Sequence, residues 1–113
     1  MTAYNRGDIV LVPFPFSNQT AIKKRPAVII SSARYNAASQ DIIIMAVTSR
    51  LEKVFDMGEC RIQDCQESGL LKPSSIKPVL STIEQKLVLK KLGSLSNDDL
   101  MSLDVALKDL LEL

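Results

Sequence analysis

The residues in this chain best suited to chemistry are an arginine and a short run of hydroxyls, each at the end of an apolar, strand-like segment. Residues 23–32 read KKRPAVIISS, so Arg25 stands just before a proline and an apolar run. Residues 41–50 read DIIIMAVTSR, so Thr48, Ser49 and Arg50 stand just after another. Polar and cationic groups gathered at strand ends are what a rigid scaffold offers as a site. A guanidinium presents a planar fork of donors matched to phosphate oxygens, and a hydroxyl can donate to the same group. Phosphodiesters are therefore the substrate class this pair suits. RNA supplies its own nucleophile, the 2′-OH, so positioning and charge stabilisation suffice and no metal is required. A purely structural reading fits the same residues: Arg25 could pair with Asp41 or another surface acid, and Thr48 could simply end a strand.

Absences narrow the chemistry further. The chain has no histidine, which excludes Ser-His-Asp, Cys-His and His-His mechanisms. Gly7, Gly58, Gly69 and Gly93 are isolated, so no glycine-rich phosphate loop is present. The carboxylates show no spacing that suggests a two-metal site. Cys60 and Cys65 are the only cysteines, expected as free thiols and too few for a metal centre. No cofactor and no metal are expected.

The elements that must position Arg25 and Thr48 follow from pattern. Residues 8–12 (DIVLV) read as a strand ended by Pro13 and Pro15. Residues 13–24 (PFPFSNQTAIKK) read as a loop of a length usually associated with function or disorder. Pro26 opens a second strand that continues to Ser32, and residues 34–39 form one helical turn. Residues 42–47 (IIIMAV) form a strand covered on both faces, and period-2 alternation puts Thr48 and Arg50 on the face of Ile44 and Ala46, with Ser49 opposite. Residues 51–58 are a loop, a short strand lies around 61–63, and Ser68-Gly69 is a turn. Residues 74–83 and 86–95 suggest two more strands, the second of which could begin as a helix. Ser96 precedes Asp99 at capping-box spacing, and Leu100, Leu103, Leu107, Leu110 and Leu111 follow at helical intervals, which predicts an amphipathic helix over 97–112. The fold class is mainly β with a C-terminal helix: a small, strongly bent sheet or partly open barrel with the helix packed on it.

A chain of 113 residues, 46% hydrophobic and 24% charged, is read as one domain over 1–113. No apolar run approaches the 18 or so residues of a membrane helix, and the N-terminus lacks a signal-peptide pattern, so cytoplasm is the expected location. The net charge of +1 conceals an asymmetry. Residues 1–35 carry five cations against one acid, and residues 96–113 carry five acids against one cation. A positive end beside an acidic helix could attract a polyanion, although solvated surface charge explains the same counts.

The segments RGDIVLVPFPF, KKRPAVIISS, DIIIMAVTSR, SGLLKPS and KKLGSLS, in that order and spacing, resemble the MazF/PemK-like toxins of bacterial type II toxin–antitoxin systems. The likeness runs from about Arg6 to Leu111. It implies a compact SH3-like barrel with a C-terminal helix, a homodimer, and metal-independent, sequence-specific cleavage of single-stranded mRNA to leave a 2′,3′-cyclic phosphate and a 5′-hydroxyl. It also implies a partner antitoxin whose disordered acidic tail occupies the RNA site. Carried over residue by residue, the resemblance makes Arg25 and Thr48 the catalytic pair, Arg25 stabilising the transition state and Thr48 holding the phosphate, with Ser49 beside them. Residues 13–24 correspond to a mobile loop over the RNA. Lys23 and Lys24 would contact phosphates, Asn18 and Gln19 would read base edges, and Arg50 belongs to the same RNA-binding set.

This chain departs from the family pattern twice. No Asp or Glu lies between Asp8 and Asp41, where some members carry a loop carboxylate, and Ser81-Thr82 stands where many have an arginine before a threonine. Both departures leave the general base unassigned. Two other readings fit the same fold: a non-catalytic, SH3-like module that binds RNA or peptide, and a related toxin that poisons DNA gyrase.

Overall fold

The computed structural model describes residues 4–14, 23–51 and 57–113. Six antiparallel strands form one sheet in the order β4-β5-β3-β2-β1-β6. They are β1 (Asp8–Phe14), β2 (Lys23–Ile29), β3 (Asp41–Thr48), β4 (Cys60–Arg61), β5 (Ser75–Glu84) and β6 (Lys90–Ser94). Helices α1 (Ala33–Ala38), α2 (Cys65–Ser68) and α3 (Asn97–Leu111) complete the fold. The result is a curled, half-closed barrel with a C-terminal helix, the architecture expected from the strand count.

Alternation splits the apolar residues between two faces. Ile9, Val28, Met45, Val47, Cys60, Ile62 and Ile76 form one core with Leu95, Leu103 and Leu107, under α3. Val10, Val12, Ala27, Ile29, Ile42, Ile44 and Ala46 form the other, closed by Tyr4, Ile83 and Val88. The central strand β3 is thus covered on both sides, as its continuous apolar run requires.

Several boundaries differ from the sequence reading, and the segment read as a strand over 86–95 that could begin as a helix opens as a 3-10 turn (Gln85–Leu87), with strand only over Lys90–Ser94. β1 passes through Pro13 to Phe14, and β2 begins at Lys23, so neither 13–14 nor 23–24 belongs to a loop. Leu89 N–H donates to the Leu11 carbonyl at 2.8 Å, so the backbone of Leu11 faces β6. By the two-residue period Pro13 faces the same side, beyond the point where β6 begins, and sacrifices no ladder bond. Pro26 is the fourth residue of β2 rather than its first, and the β2–β3 pairing starts only at Ala27. β2 stops at Ile29, short of Ser32, because Ser32 caps α1 by accepting from Tyr35 N–H.

The turn at Ser68-Gly69 closes a short helix that the sequence pattern did not show. Gly69 ends α2 at φ +73, and a Cβ there would sit 2.0 Å from the Leu92 carbonyl oxygen. A Cβ on Gly93 would sit 2.5 Å from the Glu67 carbonyl oxygen. The two glycines let the backbones of α2 and β6 touch.

Helix α3 starts where the capping spacing puts it: Ser96 Oγ accepts from Asp99 N–H at 3.2 Å. The reciprocal half of the capping box is not the bond Asp99 makes. Its buried carboxylate accepts instead from Gln63 N–H at 3.0 Å and Asp64 N–H at 2.9 Å, which fastens the segment after β4 to the helix. Arg6 fastens the other side, with Nη2 2.6 Å from Asp104 and Nε donating to the Ile30 carbonyl. Among the described residues no helix is long and apolar enough to cross a membrane.

Candidate active site

Extended past its last pair, the β2–β3 register aligns Arg25 with Thr48. Ala27 pairs with Ala46 at the end of the β2–β3 ladder, and two residues further Arg25 comes opposite Thr48. Both are on the face of Ala27 and Ala46, so both rise from the rim of the core formed by Val10, Val12 and Ile44. Both are half-buried, and Arg25 Nε is enclosed by protein. A cation held against apolar neighbours acts through a lower effective dielectric than one in bulk water.

Thr48 is oriented by a local turn. Its Oγ1 accepts the Arg50 backbone N–H at 3.0 Å, which leaves the hydroxyl proton to donate outward. On its other side Thr48 pairs with Ser75 of β5, a fully buried residue whose Oγ donates to the Cys60 carbonyl at 3.1 Å. The sequence reading did not single out Ser75; it follows directly on the KPS segment, and only the register puts it beside Thr48.

The structure disposes of one structural alternative. Asp41 stands at the other end of β3, seven residues from Thr48, or roughly 23 Å of strand. An arginine side chain cannot span that distance, so Arg25 is not the partner of Asp41.

The remaining expected residues divide. Lys23 and Lys24 are exposed on the first turn of the β2 pleat, paired with Phe14 and Pro13. Alternation gives Lys23 the face of Arg25 and turns Lys24 to the opposite one. Ser49 and Arg50 are exposed, but β3 ends at Thr48, so the strand period no longer fixes the direction of Arg50. The expectation that Arg50 shares the face of Ile44 and Ala46 rested on a strand that stops two residues earlier. Asn18 and Gln19 lie outside the described residues.

Charge is polarised along the strands. The Arg25–Thr48 end carries Lys23, Lys24, Arg25, Arg50 and Arg61. Every acid carried on a strand, Asp8, Asp41 and Glu84, lies at the opposite end. There Asp8 is neutralised by Lys91 at 3.3 Å and accepts from Asn5 N–H and Ser94 Oγ. Cys60 is buried, and burial first, then the Asp99 carboxylate, pushes its thiol up to about 11. It stays protonated near neutrality and is a poor nucleophile there.

A profile of the PemK-like, MazF-like toxins of type II toxin–antitoxin systems matches residues 5–111. Among solved structures, MazF from Deinococcus radiodurans is similar at 20% identity, with a TM-score of 0.77 and all of both chains covered. An endoribonuclease in complex with its cognate antitoxin, from a mycobacterial species, is 17% identical, with a TM-score of 0.76, covering 100% of this chain and 97% of the other. The Mycobacterium tuberculosis toxin MazF-mt6 is 16% identical, with a TM-score of 0.69, covering 92% and 97%. No curated protein sequence gives a match. With nearly its whole length inside the family profile and its half-closed barrel superposable on theirs, this chain belongs to the PemK-like, MazF-like toxins of type II toxin–antitoxin systems.

Proposed function

We propose that this toxin is a metal-independent endoribonuclease that cuts single-stranded mRNA at short sequences in the cytoplasm, with Arg25 and Thr48 at the scissile phosphate. What supports the reading is the β2–β3 register, which, extended two residues past its last pair at Ala27–Ala46, aligns Arg25 with Thr48 at the cationic end of the sheet. In the reaction the 2′-hydroxyl oxygen attacks the adjacent phosphorus and gives up its proton to water, the P–O5′ bond breaks, the leaving 5′-oxygen takes a proton from water, and the products are a 2′,3′-cyclic phosphate and a 5′-hydroxyl. Negative charge builds on the non-bridging oxygens as the fifth bond forms. The Arg25 fork neutralises that charge and the Thr48 hydroxyl donates to it, both from fixed positions on strands. With every strand-borne acid at the far end, stabilisation of charge rather than proton transfer by a strand carboxylate is what these strands supply. A guanidinium with a pKa above about 12 is likewise a poor base.

Lys23, Lys24, Ser49 and Arg50 border the same end and serve the flanking phosphates, while Asn18 and Gln19 are assigned to base recognition. The same cationic end suits the acidic tail of an antitoxin, which would compete with RNA for it. A homodimer is supported by the outward face of α3, where Met101 and Val105 are 65% and 61% exposed beside Met57 at 55%.

The test is incubation of the purified protein with a long single-stranded RNA in EDTA, followed by end-mapping. Discrete cuts ending in 2′,3′-cyclic phosphate are expected, and Arg25→Ala should abolish them while circular dichroism and size stay those of wild type. Intact RNA from folded wild-type protein would overturn the ribonuclease reading in favour of a binding module.

A further inference from the structure

The ladder that pairs Thr48 with Ser75 continues one strand further, because Ser75 pairs with Arg61 of β4. Thr48, Ser75 and Arg61 therefore form a single row across β3, β5 and β4, perpendicular to the strands, and the β2–β3 register extended two residues past Ala27–Ala46 continues that row to Arg25. All four lie on one face. Cys60, Ile76 and Val47, the neighbours in the adjacent row, belong to the core under α3, and alternation turns Arg61, Ser75 and Thr48 the other way. Arg61 is exposed, and among the described residues no acid pairs with it. Ser75, buried at the middle of the row, clamps β4 to β5 through its bond to the Cys60 carbonyl and so fixes where Arg61 stands.

Resting on the ribonuclease reading, we infer that Arg61 is a second phosphate-binding subsite, which holds the RNA strand at a phosphate other than the one cleaved, and that Ser75 is its positioning residue. Three strand spacings of about 4.8 Å put Arg61 about 14 Å from Arg25. One phosphate cannot bridge that gap, whereas one RNA strand laid along the row meets both cations. The direction of the bound strand follows: it crosses the sheet at right angles to the β-strands, from β2 over Thr48 toward the β4 edge. A contact remote from the bond that breaks is made equally in ground and transition states, so its loss appears in KM rather than in kcat.

The experiment compares wild type, Arg61→Gln and Arg61→Lys. Binding is measured with a 2′-O-methyl RNA that cannot be cleaved, across a salt series, and cleavage with an oligonucleotide several nucleotides longer on each side of the cut. Arg61→Gln is expected to lower the slope of log K against log salt by about 0.7, the loss of one phosphate contact on a single strand. KM should rise about tenfold with kcat nearly unchanged, and Arg61→Lys should restore the slope. Ser75→Ala should shift KM in the same direction while melting stays cooperative. Wild-type protein that neither binds nor cleaves RNA would overturn both this inference and the ribonuclease reading. Wild type that cleaves, beside an Arg61→Gln protein with the same slope and KM, would overturn this one alone.

Discussion

Thr48 makes two demands on one oxygen. Its lone pair receives the Arg50 N–H, and its proton is left to donate, in the proposed function to the phosphate. Serine at this position can do both, and alanine can do neither. Thr48→Ser is therefore expected to retain most activity, while Thr48→Ala loses roughly 10- to 100-fold in kcat, the worth of one hydrogen bond to a charged group; single-turnover cleavage separates the two. Cys60 gives a prediction in pH. Its folded pKa lies near 11 and its ordinary value at 9.0, raised by burial and then by the Asp99 carboxylate. Below about pH 9 the thiol is neutral in both states. Between about 9 and 11 the unfolded thiol loses its proton while the folded one keeps it, so the contribution to stability is lost as pH rises. Urea midpoints of wild type and Cys60→Ala should accordingly converge over that window. Midpoints that keep a constant separation would show that the folded thiol ionises like the unfolded one.

At the scale of elements, the site depends on parts that never touch it. Asp99 pins the segment after β4 to α3 by accepting two backbone N–H groups from inside the core. Asp99→Ala leaves those donors buried without the carboxylate and should lower stability by about 3 kcal/mol, and Asp99→Asn by less, since an amide still accepts one of them. Denaturant unfolding monitored by circular dichroism measures both. Gly69 closes α2 in the left-handed region and leaves no room for a methyl against the Leu92 carbonyl. Gly69→Ala combines backbone strain with collision and should cost about 2 kcal/mol or more, with Gly93→Ala in the same direction through collision alone. A Gly69→Ala protein as stable as wild type would mean that α2 and β6 part readily.

At the scale of the whole molecule, the sheet is a dipole of side chains. Cations collect where β2 begins and β3 ends, and acids where β1 and β3 begin, so the near-neutral protein still offers a polyanion one attractive end. The exposed apolar stripe of α3 is the surface assigned to a second copy. Met101→Glu combined with Val105→Glu should convert a dimer to a monomer in sedimentation or light scattering without loss of helix, because both side chains are solvent-exposed in the single chain. A monomeric wild type would remove α3 as the interface.

The sequence by itself determined what local pattern can determine. The runs DIVLV and IIIMAV made strands because their periods and β-branched residues suit nothing else, and Ser96 with the leucines after it made α3. Arg25 and Thr48 were visible because each stood at the end of such a run, and family resemblance gave them roles. The prolines misled, since what a proline forbids depends on which side of a strand is paired, and that is a property of the sheet. Helix α2 was missed because four residues carry no period. Tertiary structure alone decided the register. It alone put Thr48 opposite Ser75 and Ser75 opposite Arg61, pairs as much as 27 positions apart in the chain, and aligned Arg25 with Thr48 by extension of the β2–β3 register. The same register separated Arg25 from Asp41 and turned Asp99 from a helix cap into a buried clamp. Pairing between strands is set by how two faces pack against one helix and one another, and no single strand carries that information.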